Sequence, residues 1–183
     1  GMAISDELGG QHARSAGHLD DEIKIHKSAQ TKTRPEGTVL VSKKGWYDAG
    51  DYGKYVVNSG ISTYTLLMSY IHNSDFYDSL NLAIPESGDE IPDLINEIKW
   101  NLDWLETMQD EDGGVYHKLT AKQFSDMSAT PIKETKQRYM IGKSVTATLD
   151  FAAVMAVSSR VMSAFGDHFP GLAARYQERA IKA

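Results

Sequence analysis

Asp48 and Asp51 stand three residues apart in the string Gly45-Trp46-Tyr47-Asp48-Ala49-Gly50-Asp51-Tyr52-Gly53-Lys54-Tyr55. A turn can aim two carboxylates at that spacing toward one point, because the intervening Gly50 can adopt backbone angles closed to other residues. Trp46, Tyr47, Tyr52 and Tyr55 surround the pair. Flat aromatic faces beside two acids suit a sugar ring and a water molecule, so the chemistry suggested is carbohydrate hydrolysis. The plainer alternative is a turn in which Asp51 caps the helix that follows, since Asp and Gly dominate loops and Asp is a favoured N-cap. On Asp48-Ala49-Gly50-Asp51 alone, that alternative is the commoner one.

The elements around the turn show mostly helical spacing. From Tyr52 to about His72, the residues Val56, Val57, Ile61, Tyr64, Leu67, Met68 and Ile71 recur mostly at three- and four-residue steps, the helix period. Gly60 inside that stretch costs about 1 kcal/mol relative to alanine and points to close packing. A second helix carries the stripe Ile91, Leu94, Ile95, Ile98, Leu102, Leu105 and Met108, with Pro92 in its first turn and Asp89 as a candidate cap. Asp112-Gly113-Gly114 ends it, and Val115-Tyr116-His117 reads as a short extended piece. Thr120 to Gln137 lacks a period and reads as loop. A third helix is expected from about Ser144 to Phe165, with Val145, Leu149, Ala152, Met155 and Met162 inward and Gly166 as its stop. A last short helix covers Leu172 to Lys182. Residues 1–44 are polar and rich in turn formers, and read as a loop lead-in with one short helix. The expectation is an all-α chain: a single partial domain over 1–183, with the aspartate turn and helical hairpins in 45–183.

Composition narrows the function. The 183 residues are 41% hydrophobic and 24% charged, enough apolar material for one core. A formal net charge of -6 argues against nucleic acid or an anionic membrane as partner, because phosphate binding needs a basic surface. The absence of cysteine excludes disulfides and thiolate metal sites without fixing the compartment. No continuous apolar run approaches the roughly 20 residues of a membrane span, and no charged-then-apolar signal segment opens the chain.

The longer string GWYDAGDYGKYVVNSGISTYTLL resembles the signature of glycoside hydrolase family 9, the inverting endoglucanases of the cellulase type. Gly17-His18-Leu19-Asp20-Asp21 looks like the family's pre-catalytic loop, and Arg34-Pro35-Glu36-Gly37-Thr38 like the run into the aspartate turn. Further likenesses follow in family order at Ile84-Pro85-Glu86-Ser87-Gly88, at Trp100 to Leu105, at Met108 to Lys118 and at Ser144 to Ala156. The resemblance implies a toroid of six α-helical hairpins, of which this chain is an incomplete (α/α)6 portion. It implies a β-glucan oligosaccharide or polysaccharide as substrate and a secreted or periplasmic enzyme.

By the same resemblance, Asp51 is the base that takes a proton from water and Asp48 helps to hold and orient that water. Inverting hydrolysis also needs an acid roughly 6.5–9.5 Å from the base. The family's acid is a glutamate near the far C-terminal end of the domain, and no position here matches it. Glu86, Glu90, Glu97, Glu106 and Glu134 read instead as solvated or capping groups. The chain alone is therefore expected to be inactive, and to self-associate through exposed apolar helix faces. The competing reading is a non-catalytic helical carbohydrate-binding or interaction module derived from such an enzyme.

Trp46 and Tyr47 are candidates for stacking on glucose rings, against the ordinary role of loop aromatics in packing. His117 is a candidate substrate contact, though a lone histidine is more often a hydrogen-bonded surface residue. Trp100 and Trp104, one helical turn apart, read as core. No metal site or cofactor is expected. His12 and His18 are too few ligands for zinc, and Gly17 stands where zinc-binding relatives carry a cysteine. Asp110, Asp112 and Gly113 lack the alternation and terminal Glu of a calcium loop. The resemblance admits calcium in the intact domain, at a site that no residue pattern here places.

Overall fold

The computed structural model describes residues 3–126 and 128–183. The chain is not all-α, because five short strands form one mixed sheet beside the helices. After a one-turn helix α1 (Asp6–Gly9), the strands β1 (Ile23–Ile25) and β2 (Val39–Leu40) arise within the stretch expected to be loop. β3 (Lys54–Tyr55) runs directly into α2 (Val56–His72), followed by the one-turn α3 (Ser74–Tyr77) and by α4 (Asp93–Thr107). β4 (Tyr116–Ala121) and β5 (Arg138–Lys143) precede α5 (Val145–Met162), and α6 (Leu172–Lys182) is the last element. The sheet order is β2-β1-β5-β4-β3, with β1 and β5 parallel and the other neighbours antiparallel.

β1, β2 and β3 are too short for an alternation to count, and β4 and β5 do not alternate strictly, though the extended piece read at Val115-Tyr116-His117 falls at the start of β4. In Ile23-Lys24-Ile25 both isoleucines are buried. The helix expected from Tyr52 begins at Val56, because Lys54 and Tyr55 are drawn into pairing with Leu119 and Lys118 of β4.

The core lies between the sheet and α2, α4 and α5. All seven stripe residues of the second helix, from Ile91 to Met108, are buried as its spacing predicts, and so is Trp104. α2 behaves differently. Ile61, Tyr64 and Ile71 are exposed, whereas Ser59, Gly60 and Thr63 are buried. The reason is Asn101 of α4, which is fully buried and donates to Ser59 Oγ at 2.6 Å and to Thr63 Oγ1 at 2.8 Å. A buried amide needs such partners, so polar residues of α2 face inward.

α5 corrects the expectation in the same way. Val145 and Leu149 are exposed, and the buried face runs through Ala147, Phe151, Val154, Met155, Ser158, Val161 and Met162. Both α2 and α6 pack on this helix, so its inward side is chosen by two neighbours rather than by its most apolar stripe. Val145–Phe165 is long and apolar enough to cross a membrane by length and composition. Here one face of it is buried against α2 and α6.

Gly60 permits the α2–α5 approach, since a Cβ at that position would lie 1.7 Å from Asp150 Oδ2. That oxygen is buried with no hydrogen-bond partner, and burial pushes the Asp150 carboxyl up to about 6. A carboxyl that holds its proton more tightly when folded loses stability as pH rises from its unfolded value, about 4, through 6. Asp150→Asn is therefore expected to add about 2–3 kcal/mol at pH 7.5 and well under about 1 kcal/mol at pH 4. Urea unfolding at the two pH values measures the difference, and an equal effect at both would exclude a charge origin.

Candidate active site

The aspartate turn is built from short-range bonds. The Tyr52 N–H donates to Ala49 O at 3.0 Å and the Asp48 N–H to Gly53 O at 2.9 Å. The left-handed residue in this turn is Tyr52, at φ 55°, rather than Gly50, so the flexibility expected of Gly50 is not what shapes it. A bulky residue holds such a backbone only when its surroundings over-determine it. Tyr52 meets that condition: its hydroxyl donates to Ala129 O, and its carbonyl accepts from Arg138 Nη1 at 2.6 Å. Gly45, at φ 76°, lets the loop ride on α4, since a Cβ there would lie 2.5 Å from the Trp104 indole.

The two carboxylates have separate anchors. Asp51 Oδ1 accepts from the Gly53 N–H at 2.9 Å, and Asp51 Oδ2 accepts from the Tyr55 hydroxyl at 2.8 Å. Asp48 is exposed, and its Oδ1 accepts from Asn58 Nδ2 at 2.7 Å. The Tyr55 hydroxyl is pushed up to about 12, first by burial, then by its bond to Asp51 and the charges of Asp51 and Asp48. It therefore stays protonated and donates, under the influence of both acids at once. A cavity of about 120 Å³ opens beside Asp48, lined by Trp46, Tyr47, Asp48, Tyr55, Asn58, Ser59 and Ser62 but not by Asp51. It has room for a few waters at about 30 Å³ each. Asp51 adjoins this lining through Tyr55. A larger groove of about 390 Å³ runs between Ala16–Ile23 and Pro131–Arg138, but neither aspartate lines it.

The predicted binding residues divide. Trp46 lines the cavity; its backbone N–H donates to Asn101 Oδ1 at 3.2 Å and its indole N–H to Glu97 Oε1 at 2.6 Å. Tyr47 also lines the cavity, with its hydroxyl 3.2 Å from Gly17 O and 2.9 Å from His18 Nδ1. Its ring meets His18 and Tyr52 edge-on. Burial, followed by the charge of Arg138, lowers the His18 imidazole to about 4, so it is neutral near pH 7. His117 lies apart from the cavity on β4, with Nδ1 3.4 Å from Ser144 Oγ.

Sequence reasoning singled out neither Asn58 nor Lys118, and it gave Asp20, Lys54 and Arg138 no role. Lys118 Nζ lies 5.0 Å from the centroid of the Tyr55 ring. Asp20 Oδ2 is 2.6 Å from Lys54 Nζ, and Asp20 Oδ1 is 2.8 Å from Arg138 Nε. All three residues are buried, and Lys54 also donates to Lys44 O. Burial lowers the Lys54 ammonium, and Asp20 opposes that shift. These partners come from distant parts of the chain. Locally the sequence offers no more than a lysine between Gly53 and Tyr55 at the start of a helical period.

The residues weighed above as metal ligands have the following neighbours. Asp110 is occupied by Arg34 at 3.0 Å, Lys143 at 2.6 Å and the Tyr116 hydroxyl at 3.0 Å, so its charge is already met by two cations. At Gly17, a Cβ would lie 2.5 Å from Pro131 O. Of the candidate glutamates, Glu97 holds Trp46, Glu106 binds Arg175 at 2.9 Å, and Glu134 lies 3.2 Å from Lys136.

The turn thus sets two carboxylates near aromatic side chains. The sequence profile of glycosyl hydrolase family 9 matches residues 5–183, and the chain belongs to that family. It is 49% identical over 183 residues to the xyloglucan-specific endo-beta-1,4-glucanase of Bacteroides ovatus, covering 100% of this chain and 31% of the relative. It is 38% identical over 144 residues to Endoglucanase D of Acetivibrio thermocellus, covering 78% of this chain and 22% of the relative. The solved family 9 structure from Bacteroides ovatus matches with a TM-score of 0.94 at 48% identity, over 99% of this chain and 33% of that one. A metagenome-derived family 9 endoglucanase matches with a TM-score of 0.88 at 30% identity, over 98% of this chain and 31% of that one. The chain thus covers 22% to 33% of the length of these proteins.

Proposed function

We propose that this chain is part of an inverting β-1,4-glucan hydrolase, in which Asp51 removes a proton from water and Asp48 holds that water. The observation that carries this is the Asp51 carboxylate pinned by the Gly53 N–H and the Tyr55 hydroxyl, one residue away from an aromatic-lined cavity bordered by Asp48. In the reaction, water attacks the anomeric carbon and the glycosidic bond breaks. The water's proton passes to Asp51, and a general acid gives a proton to the departing oxygen. Trp46 and Tyr47 supply faces against which a glucose ring stacks. A β-1,4-glucan backbone is the substrate class, and the identity to a xyloglucan-specific relative makes xyloglucan the first glycan to test. A polymer of that size does not enter cells, so the same proposal places the enzyme outside the cytoplasm.

The second reading, a binding module without catalysis, draws on the lack of a matching proton donor in these 183 residues. One experiment separates the two. The 183-residue chain and the longest native form of the protein are each assayed for reducing ends and product anomer on xyloglucan and carboxymethyl cellulose. The expected result is no release by the chain and release with inverted anomeric configuration by the longer form. Rapid cleavage by the chain alone, or retained configuration, would overturn the proposed chemistry. Binding by an inert longer form would favour the module.

A further inference from the structure

We propose that Tyr55 and Lys118 are positioning residues for Asp51: the hydroxyl fixes the plane of the carboxylate, and the ammonium over the ring keeps the hydroxyl aimed. The proposal rests on Asp51 being the base and names what holds it. A carboxylate with one donor turns freely about its terminal torsion, which is broad and shallow. Asp51 has donors at both oxygens, and the Gly53 N–H belongs to its own turn. Among the described residues, only the Tyr55 hydroxyl, at 2.8 Å from Oδ2, ties the carboxylate to the sheet.

Tyr55 is held from three sides. Its backbone is paired with Lys118 across β3 and β4. Beneath it, Gly53 leaves room for the ring, since a Cβ there would lie 2.7 Å from Tyr55 Cε2 and 3.2 Å from Asp51 Oδ2. Above it, Lys118 Nζ stands 5.0 Å from the centroid, within the range where a cation is attracted to an aromatic face. No carboxylate of the described residues forms an ion pair with Lys118, so the ring is its counterpart. The charged groups bearing on Tyr55 are Asp51 and Asp48 from the turn and Lys118 from β4.

Kinetics of the longest native form on xyloglucan test the role. Tyr55→Phe is expected to lower kcat about tenfold with KM nearly constant, the loss of one hydrogen bond to a charged group. Lys118→Met should lose about threefold, and Lys118→Arg, which keeps a cation over the ring, should lose less than Lys118→Met. A second readout needs no activity: carbon-13 NMR of the Tyr55 ring in the 183-residue chain. There Asp51→Asn should bring the Tyr55 titration down from about 12 by about one unit. If Asp51→Asn is inactive while Tyr55→Phe keeps full kcat, the positioning role is wrong and the base assignment stands. If Asp51→Asn retains full activity, the base assignment falls. An unmoved Tyr55 titration would overturn the contact itself, whether or not Tyr55→Phe folds.

Discussion

Asp51→Asn in the longest native form of the protein is expected to lower kcat about 10²–10⁴-fold, with KM changed less than about threefold. Asparagine keeps the size and shape of aspartate, so the turn survives. Its amide oxygen can still accept from the Gly53 N–H, the bond that closes on Asp51 Oδ1 at 2.9 Å. Its NH2 then faces the Tyr55 hydroxyl, which can rotate to accept instead of donate. What disappears is the capacity to take a proton from water, a loss that falls on the chemical step rather than on binding. Initial rates across xyloglucan concentrations separate the two. A loss below about tenfold, or one carried by KM, would remove Asp51 from the role of base.

The largest expected effect on stability comes from behind the turn. Asp20→Asn should destabilise the fold by about 3–5 kcal/mol. Asp20 is the shared anion of the buried Lys54 and Arg138, at 2.6 and 2.8 Å, and its replacement leaves two buried cations facing a neutral amide. A chain of this size has on the order of 5–15 kcal/mol in all, so the variant should lose much of its urea resistance. Lys54→Met added to Asp20→Asn should restore part of it, since the buried ammonium is then gone. A midpoint for Asp20→Asn equal to that of the unaltered chain would contradict the account. Arg138 also holds the carbonyl of Tyr52 at 2.6 Å, so the same change should loosen the strained backbone next to Asp51.

The Asp48–Asp51 pair, the aromatic string and the helix stripe from Ile91 to Met108 were all legible along the chain. Each depends on residue type and on spacing within one segment. α6 was legible over its whole length, Leu172–Lys182, for the same reason. The sheet was not legible, because β1, β4 and β5 owe their pairing to partners far away in sequence. The inward faces of α2 and α5 were not legible either. Asn101 draws Ser59 and Thr63 inside, and packing against both α2 and α6 turns Val145 and Leu149 outward.

Amino-acid order by itself therefore determined the family, the two acids and the helices with strong local periods. Tertiary structure alone decided which donor each acid receives, that Tyr52 rather than Gly50 carries the left-handed backbone, and that Asp20, Lys54 and Arg138 meet beneath them. The physical reason is range. Helical period and turn chemistry act over a few neighbouring residues, whereas a buried charge or a polar side chain is satisfied by whichever partner the folded chain brings within about 3 Å.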